Sequence, residues 1–379
     1  MKLISYGRQY VDNQDILSVS ASLKADKLTT GNKVKNFEKK ISNFLKCKFS
    51  STCNSGTSAL FLAMQAIKIK KNDKIIMPSV NFISSYNIAK LFNAKIFLAD
   101  VDKNNGQMTP KNIEECCKKF NLKKIKAIIV MYNGGYPNNA ENFYKFKKKL
   151  GCYIIEDSCH ALGAEYIYKN KTYKIGSCAH SDISTFSLHP LKTITTGEGG
   201  IVTTNSKTLD ERMKSFRSLG IKRNKNKHWE YDVVHLGFNF RLTDIQSSLG
   251  ISQLNKINKF IKHRKNIASF YNKELCKIPK LSIPKQIKQY KSSFHLYILN
   301  IESSTMKQKE SFIKYMLKKN IMIQYHYIPI YKFKIFKDKY YGINSEIYYR
   351  SSVSLPIYFG LRLKEQKYII ESIKKFFKK

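Results

Sequence analysis

The sequence predicts an α/β fold. A large domain over residues 1–245 holds a mainly parallel central sheet, and a linking helix with a smaller α+β domain fills 246–379. Three observations carry this prediction. Between residues 48 and 158 short apolar runs alternate with amphipathic segments, as in strands joined by crossover helices and covered on both faces. Residues 243–275 then keep a helical pattern too long for a sheet connection and suited to joining two domains. Finally, polar and acidic residues gather at the ends of the expected strands, where open α/β sheets place their ligand sites.

In chain order, strands are expected over 49–53, 74–80, 94–101, 125–132 and 152–157. Helices over 57–69, 84–92, 109–120 and 140–150 fall between and after them, with apolar residues at three- and four-residue spacing. Further strands are expected over 181–188 and 200–205. Beyond the long helix the pattern reads strand (293–301), helix (307–319), strand (321–327) and helix (364–377). There is no internal repeat and no low-complexity linker.

Composition narrows the function. At 379 residues and 42% hydrophobic the chain can bury a large core. Its net charge of +41 comes from 60 Lys and only eight Arg, spread along the whole length. The densest runs, Lys147-Lys-Lys149 and Lys374-Lys-Phe-Phe-Lys-Lys379, suit solvated helix faces. Nucleic-acid binding is set aside because no localised basic patch exists, while the field favours anionic small molecules such as nucleotides. Eight cysteines form no C-x-x-C pair and no zinc spacing, so no metal site is expected. No stretch approaches the roughly 18 apolar residues of a membrane span, and Met1-Lys-Leu-Ile-Ser-Tyr lacks a signal-peptide core. The expectation is a cytoplasmic protein with reduced thiols that binds neither membrane nor nucleic acid.

Four constellations carry chemistry. Asn54-Ser-Gly-Thr-Ser58 precedes an apolar helix, and free N–H groups with hydroxyls at a helix start suit a phosphate. The same residues also make an ordinary N-cap. Glu156-Asp157 ends a strand, where a carboxylate could keep a heteroaromatic nitrogen protonated, or simply cap or pair. Phe82 could stack on a ring, and His160 could buttress it, although both residue types also serve as core. Lys192 lies in Phe186-Ser-Leu-His-Pro-Leu-Lys192-Thr-Ile-Thr-Thr-Gly197, rimmed by hydroxyls and small residues. A lysine there suits an imine-forming amine better than a solvated charge, with His189 as a rival base. Phosphate cup, stacking ring, carboxylate and amine together describe a site for pyridoxal 5′-phosphate.

Through these motifs the chain resembles the pyridoxal-phosphate sugar aminotransferases of the DegT/DnrJ/EryC1/StrS group. Tyr6-Gly-Arg-Gln, Leu28-Thr-Thr-Gly31, Asn54-Ser-Gly-Thr-Ser-Ala-Leu60, Glu156-Asp-Ser-Cys-His-Ala-Leu-Gly163, Leu236-Gly-Phe-Asn-Phe-Arg-Leu-Thr-Asp244 and Ser354-Leu-Pro-Ile357 carry the likeness over essentially the whole chain. The resemblance implies the aspartate aminotransferase (type I) fold. It makes Lys192 the imine lysine, Asp157 the partner of the pyridine nitrogen, and Phe82 and His160 the ring neighbours. Gly56, Thr57, Ser58 and Ser187 become phosphate ligands. Asn239 matches an asparagine that reaches the phosphate from the neighbouring subunit, which implies a homodimer.

Three blocks, Phe186 to Thr196, Lys291 to Tyr297 and Gln324 to Pro329, resemble the branch of the family that serves pseudaminic acid synthesis. By that likeness Tyr6, Asp26, Lys27, Leu28, Thr29, Tyr325, His326, Tyr327 and Ile328 touch a nucleotide sugar. Phe294 stands where a basic residue is common, and Tyr132-Asn-Gly-Gly-Tyr-Pro departs from the usual pattern. The implied reaction moves an amino group from L-glutamate to the 4-keto group of a nucleotide-linked 4-keto-6-deoxy sugar. Lysine rather than histidine at position 192 argues against the family's sugar dehydratases. The complete set of cofactor residues argues against a non-catalytic relative.

Overall fold

The alternating stretch folds around one seven-stranded sheet. The structure, a computed structural model, describes residues 2–378 apart from 225 and 228. Helices α1 (Asn13–Leu23) and α2 (Asn32–Leu45) open it. The first is closed by a capping box in which Asp12 and Asp15 each accept the other's backbone N–H. Strands β1 (Phe49–Cys53), β2 (Lys74–Pro78), β3 (Lys95–Ala99), β4 (Ala127–Met131) and β5 (Tyr153–Asp157) follow. Between them run α3 (Gly56–Ala66), α4 (Ser84–Leu91) and α5 (Pro110–Lys119). The helix expected over 140–150 is two short pieces, α6 (Ala140–Phe143) and α7 (Lys145–Leu150), meeting at Tyr144. A hairpin of β6 (Glu165–Tyr168) and β7 (Lys171–Lys174) precedes β8 (Ile183–Ser187) and β9 (Gly200–Thr204).

Spatial order is β1-β9-β8-β5-β4-β2-β3. Strands β8, β5, β4, β2 and β3 are parallel, and β9 runs antiparallel to both its neighbours. The sheet is therefore mainly parallel, and both its faces are covered. Ile128, Val130, Ile154 and Phe186 pack with Phe37, Ile41 and Leu45 of α2 on one side. Ala127, Ile129, Ile155 and Ile183 pack with Leu60, Leu62 and Met64 of α3 on the other. Consecutive residues buried on opposite faces explain why β4, Ala-Ile-Ile-Val-Met, reads as an unbroken apolar run. Each such aliphatic side chain contributes about 1.5–3 kcal/mol on burial.

Next come α8 (Lys207–Arg217) and a hairpin of β10 (Ile221–Arg223) and β11 (Tyr231–Val233). The long helix is broken into α9 (Asp244–Asn255) and α10 (Ile257–Leu275). The break falls at Lys256, whose ammonium pairs with Asp12 at 2.7 Å and Asp15 at 2.6 Å. That tertiary anchor overrides a locally helical sequence. The remainder holds β12 (Leu281–Ser282), β13 (Tyr290–Lys291), β14 (Tyr297–Ile301), α11 (Met306–Lys318), α12 (Ile343–Ser351), β15 (Ser352–Leu355) and α13 (Leu363–Phe377). Its own core gathers Tyr297, Leu299, Phe312 and Ile369, together with Ile4 from the start of the chain. Strand β13 pairs with β6 in a separate three-stranded sheet, β13-β6-β7, and so ties this part to the β6–β7 hairpin.

Residues 321–327 are not the expected strand. They make only isolated bridges, Ile4 with Ile321 and Gln324 with Ser354. After Gln324 the chain turns away through a cis His326–Tyr327 peptide. The alternating burial of Ile321 and Ile323 imitates a strand without a ladder to join.

Candidate active site

A cavity of about 290 Å³ opens beyond the carboxyl ends of β5 and β8 and the start of α3. The helix start is built by Ser55, whose Oγ accepts the Ser58 N–H at 3.0 Å. The N–H groups of Gly56 and Thr57 have no intrahelical partners at this end. A Cβ on Gly56 would lie 2.8 Å from the Ser187 Cβ. The helix start and the end of β8 thus meet where only glycine fits, leaving backbone N–H groups beside a serine hydroxyl. That is a cradle for a phosphate.

Across the cavity, Asp157 ends β5. Its Oδ2 accepts the Ser85 hydroxyl at 3.1 Å and its Oδ1 the Cys159 N–H at 3.3 Å. Lys192 projects from the turn after β8, which is held by its own N–H to His189 O at 2.9 Å and by Thr195 Oγ1 to Leu188 O at 2.9 Å. Its amine makes no hydrogen bond or ion pair among the described residues. Burial pushes its pKa below the ordinary lysine value, and Cys159 and Asp157 partly oppose that shift. A side of the cavity is imidazole. His160, His295 and His326 are all shifted down by burial, with Lys192 nearby adding to it, and His326 falls to about 3. Neutral imidazoles therefore surround a basic amine.

Gly56, Thr57, Phe82, Asp157, His160, Ser187, Lys192, Tyr6, His326 and Tyr327 all line the cavity. Ser58 does not, because its hydroxyl turns away to Asn54 Oδ1 at 2.6 Å. Asp26, Lys27, Leu28, Thr29, Tyr325, Ile328 and Asn239 also lie outside the lining. Thr29 bridges Thr243 and Asn239 bridges Ser218. Sequence reasoning passed over Cys159, Ser84 and His295. Cys159 sits between two predicted residues and could have been found by adjacency. His295 comes from the far end of the chain, and only its place in the Lys291 to Tyr297 block hinted at it. Among the described residues no cluster of His, Cys, Asp and Glu could hold a metal ion, and no helix is long and apolar enough to cross a membrane.

A parallel sheet with a phosphate cradle, a carboxylate and a buried lysine at its strand ends fits pyridoxal phosphate and defines a pyridoxal-phosphate-dependent aminotransferase. The chain belongs to the DegT/DnrJ/EryC1/StrS aminotransferase family, whose model matches residues 9–374. It is 37% identical over 375 residues to the UDP-4-amino-4,6-dideoxy-N-acetyl-β-L-altrosamine transaminase of Campylobacter jejuni, covering 98% of this chain and 96% of that one. The GDP-perosamine synthase of Escherichia coli O157:H7 is 32% identical over 350 residues, or 92% of this chain and 91% of its own. Among solved structures, Helicobacter pylori PseC, an aminotransferase involved in the biosynthesis of pseudoaminic acid, superposes with a TM-score of 0.92 at 30% identity over the whole of both chains.

Proposed function

We propose that this aminotransferase transfers the amino group of L-glutamate to the 4-keto group of a UDP-linked 4-keto-6-deoxy sugar. The product would be UDP-4-amino-4,6-dideoxy-N-acetyl-β-L-altrosamine, a precursor for pseudaminic acid. The observation that carries this reading is the near full-length likeness to the Campylobacter jejuni transaminase of that name, at higher identity than to the GDP-perosamine synthase.

In this reading Ser187 and the N–H groups of Gly56 and Thr57 hold the phosphate, and Phe82 and His160 flank the ring. Asp157 keeps the ring nitrogen protonated by opposite charge. Pyridoxal phosphate, when bound, supplies an electron sink to the carbon that loses its proton. Lys192 Nζ removes the α-proton of glutamate and, in the second half-reaction, delivers a proton to C4 of the sugar. The low-dielectric wall around Lys192 favours the neutral amine that a base requires.

Glutamate with a panel of 4-keto nucleotide sugars tests the substrate. The UDP-linked sugar should exceed its GDP- and dTDP-linked counterparts by about tenfold or more in kcat/KM, the discrimination that a few recognised groups provide. Faster turnover of a GDP- or dTDP-linked sugar would move the assignment to that nucleotide. Loss of water without amine transfer would make the protein a dehydratase.

We also infer that the working unit is a homodimer. Leu236 (84% exposed), Tyr231, Val233, Val234 and Phe238 form an exposed apolar stretch beside Asn239. Apolar clusters of this kind mark interaction surfaces. A second copy seated there would bury them and bring Asn239, with the nearby 26–29 segment, toward a cavity that neither reaches in one chain. Leu236→Asp should shift the mass in light scattering from two chains to one and lower amine transfer with it. A fully active monomer would refute the composite site.

A further inference from the structure

We propose that the turn Asn133-Gly134-Gly135 is a positioning element: by fixing the proton of His160 on Nε2 it directs the hydroxyl proton of Tyr327, which the family likeness already places at the sugar, onto an oxygen of that sugar. The inference rests on the sugar-aminotransferase reading and names one positioning element of that site. This turn follows β4 and lies in the segment that departs from the family's usual pattern.

Both glycines adopt left-handed backbone angles, φ +72° at Gly134 and +86° at Gly135. A Cβ on Gly135 would sit 2.4 Å from Ser293 Oγ and 2.5 Å from the His160 carbonyl oxygen. The turn is therefore pressed onto His160 with no room for a side chain. Gly134 donates its N–H to His160 Nδ1 at 3.3 Å. A ring nitrogen that accepts carries no proton, so the neutral imidazole holds its hydrogen on Nε2. His160 Nε2 lies 2.9 Å from Tyr327 Oη. It must donate there, and Tyr327 must accept.

The phenol proton of Tyr327 then points elsewhere, and no other described residue hydrogen-bonds Tyr327 Oη. The ring lines the cavity, 5.6 Å from Phe82 and 5.8 Å from His160 between centroids. Burial beside Lys192 keeps His160 neutral, so the two groups cannot exchange roles by protonation. The same turn also holds the backbone leading into Tyr327. The His326 carbonyl accepts Asn133 Nδ2 at 3.2 Å and Tyr348 Oη at 2.8 Å, and Asn133 Nδ2 also lies 2.8 Å from Tyr348 Oη. Ring and peptide are both set by one turn.

The acceptor is assigned to the sugar because the phosphate cradle and Asp157 come from the large sheet. Tyr327 arrives from the C-terminal part, outside that sheet, and lines the same cavity. A hydroxyl proton with no acceptor in the protein suits a carbonyl or hydroxyl oxygen of the substrate.

Two measurements test this. Long-range proton–nitrogen NMR of the ¹⁵N-histidine-labelled full chain, with His160 assigned by His160→Gln, should show the Nε2–H tautomer at neutral pH. An Nδ1–H ring or an imidazolium overturns the directing role of the turn, and it does so without any substrate. Tyr327→Phe keeps the ring and removes the donor. It should lower kcat/KM in the sugar half-reaction by about 5- to 30-fold, as the loss of one buried hydrogen bond does, with a clearly smaller fall in the glutamate half-reaction. Equal falls in both half-reactions, or none in either, overturn the assignment to the sugar. A wild-type protein with no sugar half-reaction overturns both this inference and the functional reading.

Discussion

Lys192→Ala is expected to erase the visible absorption band that the protein shows with pyridoxal phosphate and to lower amine transfer by about 10³-fold or more. General acid–base help alone is worth about 10²–10⁴-fold, and the lysine's covalent role adds to it. The loss should not come from unfolding. The turn around Lys192 is held by main-chain and threonine bonds, Lys192 N–H to His189 O at 2.9 Å and Gly197 N–H to Thr195 Oγ1 at 2.9 Å, none of which uses the amine. A thermal melt within a few degrees of wild type, with the absorption band gone, is the expected pair of results. Lys192→Arg should fail similarly, because a guanidinium stays protonated and cannot act as a base at neutral pH. His189 is the group that could rescue the variant. Its Nδ1 accepts the Leu191 N–H at 3.4 Å, which ties the ring to its own turn. Amine transfer surviving in Lys192→Ala would therefore reassign the base.

The parts of the fold that were legible in the sequence are those with a local cause. Strands buried on both faces, such as β4 (Ala-Ile-Ile-Val-Met), leave apolar runs, and every strand of the large sheet was expected within a few residues of its place. The break at Lys256 was not legible, since it comes from two aspartates more than 240 residues away. Residues 321–327 carried strand-like alternation but have no ladder to join, and nothing local says so. The site divides in the same way. Gly56, Asp157, Ser187 and Lys192 sit at element ends, where residue type and position announce a ligand. His295 and Asn133 act through partners across the fold. Asn133 meets His326 across 193 positions, and His160 meets Tyr327 across 167. No spacing rule reaches so far.

Asp157→Asn separates charge from shape at the other pole of the site. The asparagine carbonyl can keep the Cys159 N–H that Oδ1 now accepts, and its amide can donate to Ser85 Oγ, reversing a bond the aspartate accepts at 3.1 Å. Ser85 Oγ already accepts the Asn81 amide at 3.2 Å, so its buried proton loses its acceptor and the change should cost the fold about 1–3 kcal/mol. The negative charge does not survive it. An opposite charge at hydrogen-bond range raises the pKa of a cationic nitrogen by about 1–3 units, and each unit corresponds to about 1.36 kcal/mol. Without it the ring nitrogen is held protonated about 10- to 1000-fold less well, and the electron sink weakens in proportion. The expected result is a fall of that size in kcat for both half-reactions. The visible band should persist, because Lys192 and the phosphate cradle are untouched. This pattern is the converse of Lys192→Ala, where the band disappears. An Asp157→Asn variant with wild-type kcat would show that this carboxylate shapes the strand end without serving the chemistry.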